Sequence, residues 1–175
     1  EVDLKHTSKI IETVNYYYPN EYTHTTGSYD RFDVDWTTTT TEGVELECRA
    51  EAKLRQNINM EQYPNAYLNS GKWRYLMENI KRPYAWIGYD DGVIIYRLKA
   101  LPKYEIENDI IELSKRYEEL PENKPKGFVC PENKWCRWEY VWNPAKERRE
   151  WELNVKLPIW NRNDYKGITM LKHVN

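Results

Sequence analysis

From Val44 to Arg55, apolar and charged residues alternate one for one: Val44, Leu46, Cys48, Ala50, Ala52 and Leu54 against Glu45, Glu47, Arg49, Glu51, Lys53 and Arg55. A period of two does not suit a helix and places the two sets on opposite faces of a strand. A strand this long needs partners on both edges and a layer over its apolar face. A shorter alternating run precedes it, with Phe32, Val34 and Trp36 opposed to Asp33 and Asp35, and Thr-Glu-Gly at 41–43 reads as the turn between them. Residues 31–55 therefore predict a hairpin of strands near 31–36 and 44–54. Its polar face collects carboxylates, with a lysine among them.

The rest of the chain supplies the partners. Ile10, Ile11, Val14, Tyr17 and Tyr18 recur at helical spacing over residues 7–18, and Pro19 stops the run. Trp73, Leu76, Met77 and Ile80 predict a helix over about 63–80. Strands near 84–90 and 93–99 flank Asp91-Gly92, a dipeptide favoured in two-residue turns. Ile106, Ile110, Leu113 and Tyr117 predict an inward-facing helix over 105–118. Beyond Pro121 come aromatic strands, GFVC, CRWEYVW and REWELNVKLPIW. The order predicts an α+β (α/β) fold, a central mixed sheet flanked by helices. The 175 residues form one domain in this reading, with a core over 1–120 and a β-rich, aromatic extension over 121–175.

A charged fraction of 31% with net charge −2 describes neither a polybasic arm nor an acidic tail, so a nucleic-acid partner has to be met by local patches. No apolar run approaches the roughly 18 residues that span a bilayer, and EVDLKHTSK lacks the apolar stretch of a signal peptide. An intracellular, cytoplasmic protein without a membrane partner is expected. Cys48 falls on the apolar face of its strand. Cys130 and Cys136 bracket PENKW without further ligands at zinc spacing, and reduced thiols fit better than a disulfide or a zinc site.

Antiparallel partners sum to a constant, so a turn at 41–43 brings position 33 or 35 opposite positions around 49 to 51. Asp33 and Asp35 then lie beside Glu51, with Glu47 and Lys53 one same-face step away. Converging carboxylates suit a hard cation such as Mg²⁺ or Mn²⁺, which keeps waters for substrate phosphates. A neighbouring lysine can stabilise charge that builds on a phosphorane. Together these are the groups needed to hydrolyse a phosphodiester.

The same residues carry a resemblance. Phe32-Asp33-Val34-Asp35 followed by Glu51-Ala52-Lys53 resembles the PD-(D/E)XK nuclease superfamily, with an acid on one strand and (D/E)-x-K on the next. Phe32 or Val34 stands where the family's name has a proline. The resemblance implies a restriction-endonuclease-like core of α-β-β-β-α-β order within residues 7–99 and Mg²⁺-dependent cleavage of DNA. It implies that Asp33 or Asp35 binds metal with Glu51, that Lys53 is the catalytic lysine, and that Arg55 extends the match. Glu47-Cys48-Arg49 is a second frame, with Arg49 in the lysine's place, and Glu45-x-Glu47 is similar to the acid-for-lysine variant of some restriction enzymes. A glutamate from the first helix often joins such sites, which points to Glu12.

Other readings stay open. A face of mixed Glu, Arg and Lys is also what a solvated sheet with cross-strand ion pairs looks like. Glu12 lies nearly opposite the apolar stripe of its helix. Gln56 and Gln62 could meet a phosphate or a metal-bound water, or simply belong to loops. DNA backbone contacts are expected from Lys72, Arg74, Lys81 and Arg82, with KERR at 146–149 among the tail aromatics. The alternatives to a nuclease are a carbohydrate- or protein-binding module using the aromatic C-terminal strands, or an accessory protein of the kind viral and phage genomes carry. A homodimer is compatible with each. No Ser-His-Asp or Cys-His arrangement is apparent.

Overall fold

The structure, a computed structural model, describes residues 2–19, 23–24 and 33–174. Its elements run α1 (Val2–Tyr17), β1 (Thr23–His24), β2 (Val34–Thr39), β3 (Glu45–Leu54), β4 (Asn65–Asn69), α2 (Ser70–Asn79), β5 (Arg82–Gly88), β6 (Gly92–Arg97), α3 (Lys103–Ser114), β7 (Cys136–Asn143), β8 (Arg148–Pro158) and β9 (Ile168–Lys172). The fold is α+β with a mixed sheet, as the order of periodicities predicts. Among the described residues, no helix is long and apolar enough to cross a membrane.

The chain groups into two compact units. The first comprises residues 1–64, 75–101 and 158–175, and holds a sheet of order β1-β2-β3-β5-β6-β9. Only β3 and β5 run parallel; every other neighbouring pair is antiparallel. The second comprises residues 65–74 and 102–157 and holds the sheet β4-β8-β7, with α3 against β7. The expected position of α3 on the central sheet is thus corrected: its buried stripe, Ile106, Ile110 and Leu113, serves the second sheet. Tyr117, expected inward on that helix, lies past its end and is 60% exposed.

The first unit's core is built over β3. Cys48, Ala50 and Ala52 present small side chains on one face, with β2 and β5 on either side. The space is filled by rings from both neighbours. Trp36 of β2 meets Tyr84 and Trp86 of β5 with centroids 5.1 and 4.9 Å apart. Helix α1 closes this layer with Ile10 and Val14. Tyr17 and Tyr18, expected to face inward, are exposed, and the Tyr17 hydroxyl donates to the Lys172 carbonyl.

Several boundaries differ from expectation. Residues 65–69, expected within a helix, form a strand that buries Ala66 and Leu68 at alternate positions. The helix starts only at Ser70, where Asn69 Oδ1 accepts the N–H groups of Gly71 and Lys72 as an N-cap. GFVC forms no strand; its Phe128 packs edge-on against Trp151. The expected strand at 31–36 is β2, and Arg31 and Phe32 lie outside the described residues.

The second hairpin turns through Asp90 and Asp91, since Gly88 pairs with Val93 and Tyr89 N–H donates to Gly92 O. Asp91-Gly92 is therefore not the turn pair. Gly92 is needed for packing: a Cβ there would lie 2.2 Å from the Leu171 carbonyl oxygen and 2.6 Å from Met60 Cε. Gly92→Ala is expected to lower unfolding free energy by about 1–3 kcal/mol, the usual range for overpacking. An unchanged urea midpoint would show that β9 yields without loss.

Candidate active site

The register of β2 on β3 separates the carboxylates. Val34 pairs with Ala50, Asp35 with Arg49 and Trp36 with Cys48, and the ladder ends at Val34, with Asp33 just beyond it. This register follows from the turn: Thr40 N–H donates to Val44 O, and Gly43, at φ +83°, donates to Thr40 O. Val34 and Trp36 go to the α1 side, and Asp35, Glu51 and Lys53 go to the other.

Asp33 ends the strand. Its N–H donates to Ala50 O at 2.8 Å, and its Oδ2 accepts the Ala52 N–H at 2.9 Å. The side chain thereby takes an acceptor place beside the backbone ladder, which holds its carboxylate against the Glu51–Ala52 peptide. Glu51 is half-buried beside Ala85 of β5, with Oε2 shut off from solvent. Lys53 follows one same-face step along β3, roughly 6.6 Å at a strand's rise, and its side chain is exposed.

Asp35 is held elsewhere. Arg49 Nη1 lies 4.0 Å from Asp35 Oδ2, and Arg49 Nη2 lies 3.4 Å from Glu47 Oε1. The second frame is thus a partly exposed ion network, an arrangement that typically contributes at most about 1 kcal/mol per pair. Glu45, opposite Thr39, is exposed. Of the two aspartates, Asp33 is hydrogen-bonded to the Glu51-Ala52-Lys53 segment through the Ala52 N–H, and Asp35 is held by Arg49. Among the described residues, no group of three or more His, Cys, Asp or Glu side chains is placed to hold a metal ion. Two carboxylates still fit Mg²⁺, which commonly takes one or two from the protein and the rest of its ligands from water and phosphate.

Glu12 does not join this pair. It is exposed on α1, whose buried residues cover the opposite face of the sheet. Arg82, half-buried and paired with Cys48, points to the α1 side and donates to Thr38 Oγ1 at 3.5 Å. Lys81 is exposed just before β5, and Lys72 and Arg74 lie on α2, half-buried and exposed respectively. Arg55 donates its N–H to Gly88 O, extending the β3–β5 pairing by one residue. Its charge favours ionisation of the Tyr89 phenol, against burial that pushes the phenol up to about 12. Gln62 exchanges hydrogen bonds with Asn59 and belongs to a loop.

Gln56 lines a cavity of about 420 Å³ at the carboxyl ends of the parallel strands β3 and β5, with Lys9, Asn57, Asp90 and His173. His173 is fixed there by both ring nitrogens: Nε2 is 3.0 Å from the Tyr89 carbonyl and Nδ1 2.7 Å from Thr13 Oγ1. A carbonyl only accepts, so Nε2 carries a proton and donates it to Tyr89 O. Nothing local in the sequence marks this cluster, because its members come from segments more than eighty residues apart. The three cysteines are buried free thiols, and burial pushes the Cys136 thiol up to about 12.

Comparison with family models finds no match, and neither curated proteins nor solved structures yield one.

Proposed function

We propose that the protein is a Mg²⁺-dependent nuclease of the PD-(D/E)XK kind, acting on DNA inside the cell from a restriction-endonuclease-like core. The observation that supports this reading most directly is the hydrogen bond from Ala52 N–H to Asp33 Oδ2, which ties the acid just before β2 to the Glu51-Ala52-Lys53 segment of β3. Asp33 and Glu51 would hold the cation, which when bound neutralises phosphate charge and lowers the pKa of a coordinated water. Asp33 Oδ2 accepts the Ala52 N–H, which ties its carboxylate to the residue between Glu51 and Lys53. Lys53 meets the negative charge that builds on the phosphate oxygens. Lys81, exposed in the same unit, is available to backbone phosphates.

The test is cleavage of supercoiled plasmid and of single-stranded DNA by purified protein with Mg²⁺ or Mn²⁺. Cleavage that EDTA abolishes is expected. Asp35→Asn is expected to retain activity within about three-fold, because it loses only a surface ion pair. No cleavage of either substrate with either cation would defeat the reading. Loss of activity in Asp35→Asn at the level of an Asp33 variant would transfer the site to the Arg49 network.

A further inference from the structure

The face of the first sheet toward α1 holds a ring-lined space that the hairpin site does not use. Cross-strand pairing sets Trp86, Ile95 and Thr169 in one row over β5, β6 and β9, with Tyr84 one same-face step back along β5. Trp36 reaches over the small residues of β3 to both β5 rings, with centroids 5.1 Å from Tyr84 and 4.9 Å from Trp86. Helix α1 closes this layer at Ile10 and Val14 and ends at Tyr17. Past Val14, a cavity of about 500 Å³ lies between the sheet rings and Tyr17, Tyr18 and Pro19. Small-molecule sites run to roughly 300–1,000 Å³.

The rings are set before a ligand arrives. Trp86 and Trp36, 1% and 7% exposed, are packed into the core. The Tyr17 hydroxyl donates to the Lys172 carbonyl at 2.8 Å, which ties the helix end to β9. Pro19 fixes the backbone just after Tyr18. Walls held in this way lose little freedom on binding.

The chemistry of the lining selects the occupant. Among the described residues that line the cavity are five aromatic rings, and no carboxylate, ammonium, guanidinium, imidazole or amide side chain. Apart from indole N–H groups, its polar side chains are hydroxyls, those of the tyrosines and of Thr38 and Thr169. Burial pushes the Tyr84 phenol above its ordinary value, as an apolar wall does. A charged molecule would shed its hydration here with no opposite charge in the lining to replace it. A sugar would stack on the rings, but its many hydroxyls would meet neither amides nor carboxylates.

We propose that this cavity binds an uncharged, planar ring compound, a small molecule stacked on the rings of Trp36, Tyr84 and Trp86 and oriented by the lining hydroxyls. Aromatic rings favour such a partner through offset and edge-on contacts as well as through the area they bury. The inference stands whether or not the hairpin site cleaves DNA, because Glu51 lies on the opposite face of the sheet.

Fluorescence titration of the full chain with N-phenyl-1-naphthylamine, an uncharged aromatic probe that brightens in apolar sites, tests it. Saturable binding of one probe per chain is expected, with tryptophan emission falling as energy passes to the probe. Thr169→Trp, on the edge strand β9, places a ring in the cavity and should abolish that binding. Tyr18→Ala removes an exposed wall and should weaken it about two- to ten-fold, as loss of one ring contact does. Unchanged circular dichroism would verify folding of both variants, and Tyr18→Ala decides if the bulkier one fails to fold. Added 2-naphthol should displace the probe, and 2-naphthoate, the same ring system with a carboxylate, should do so at least about ten-fold less well. Absence of saturable binding overturns the proposal, as does binding indifferent to both variants. Displacement by 2-naphthoate as good as that by 2-naphthol would mean that Arg82, the donor to Thr38, reaches the ligand, and would overturn the uncharged class. Displacement by cellohexaose but not by 2-naphthol makes the cavity a sugar site instead.

Discussion

Lys53→Ala is expected to slow DNA cleavage by about 10²–10³-fold while leaving Mn²⁺ binding and the unfolding midpoint near their parental values. The magnitude is that of removing one preorganised charge from a developing oxyanion. The selectivity follows from position: Lys53 is exposed on β3 and contributes little to the core, whereas Glu51 beside it is half-buried. Glu51→Gln keeps the shape of the side chain but removes its charge, so metal binding and cleavage should vanish together. Asp33→Asn should behave like Glu51→Gln, because its carboxylate is held at the Ala52 N–H, the residue between Glu51 and Lys53. Arg49→Ala separates the frames: with Asp35 and Glu47 as its partners it should leave cleavage within a few-fold. Calorimetric titration with Mn²⁺ and a plasmid-nicking time course read both quantities. A Lys53→Ala enzyme cutting at the parental rate would refute the assignment of that lysine.

The hairpin was legible because its alternation is uninterrupted from Val44 to Leu54, and period-two patterns have one structural solution. Its register was legible only to within one same-face step. A turn placed at 41–43 allows Asp33 or Asp35 to oppose Glu51, and the choice depends on the hydrogen bonds that Thr40 makes with Gly43 and Val44. The side on which α1 docks was not legible, since a helical stripe shows which residues of the helix are buried but not which face of a sheet receives them. That one uncertainty decides the place of Glu12. Residues 65–69 set Ala66, Tyr67 and Leu68 in a row between two asparagines, too short a run to tell a strand from the start of a helix. Their pairing with β8 is a contact between segments some eighty residues apart. Gly92 misleads for a related reason: beside Asp91 it imitates turn chemistry, while its need for a hydrogen side chain comes from β9, about eighty residues later.

Trp86→Ala is expected to destabilise the first unit by about 3–5 kcal/mol, the range for removing a large aromatic side chain from a packed core. Trp86 is 1% exposed and packs against Trp36 over the small residues of β3, beneath Ile10 and Val14 of α1. Cys48, Ala50 and Ala52 cannot fill the vacated space, because their side chains end near the strand, and Trp36 is already committed to Tyr84. The cavity therefore stays largely open, which places the cost toward the upper part of that range. A urea titration followed by far-ultraviolet circular dichroism should show a lower midpoint with an unchanged slope, the mark of lost stability rather than a changed denatured state. The same substitution separates scaffold from chemistry. Trp86 lies on the α1 face of the sheet and Glu51 on the other, so molecules that remain folded should keep the Asp33–Ala52 hydrogen bond and cut DNA at close to the parental rate. A destabilisation under 1 kcal/mol would mean that the rings over β3 do not hold this unit together. Full stability combined with lost cleavage would mean that the two faces of β3 are coupled through the strand itself.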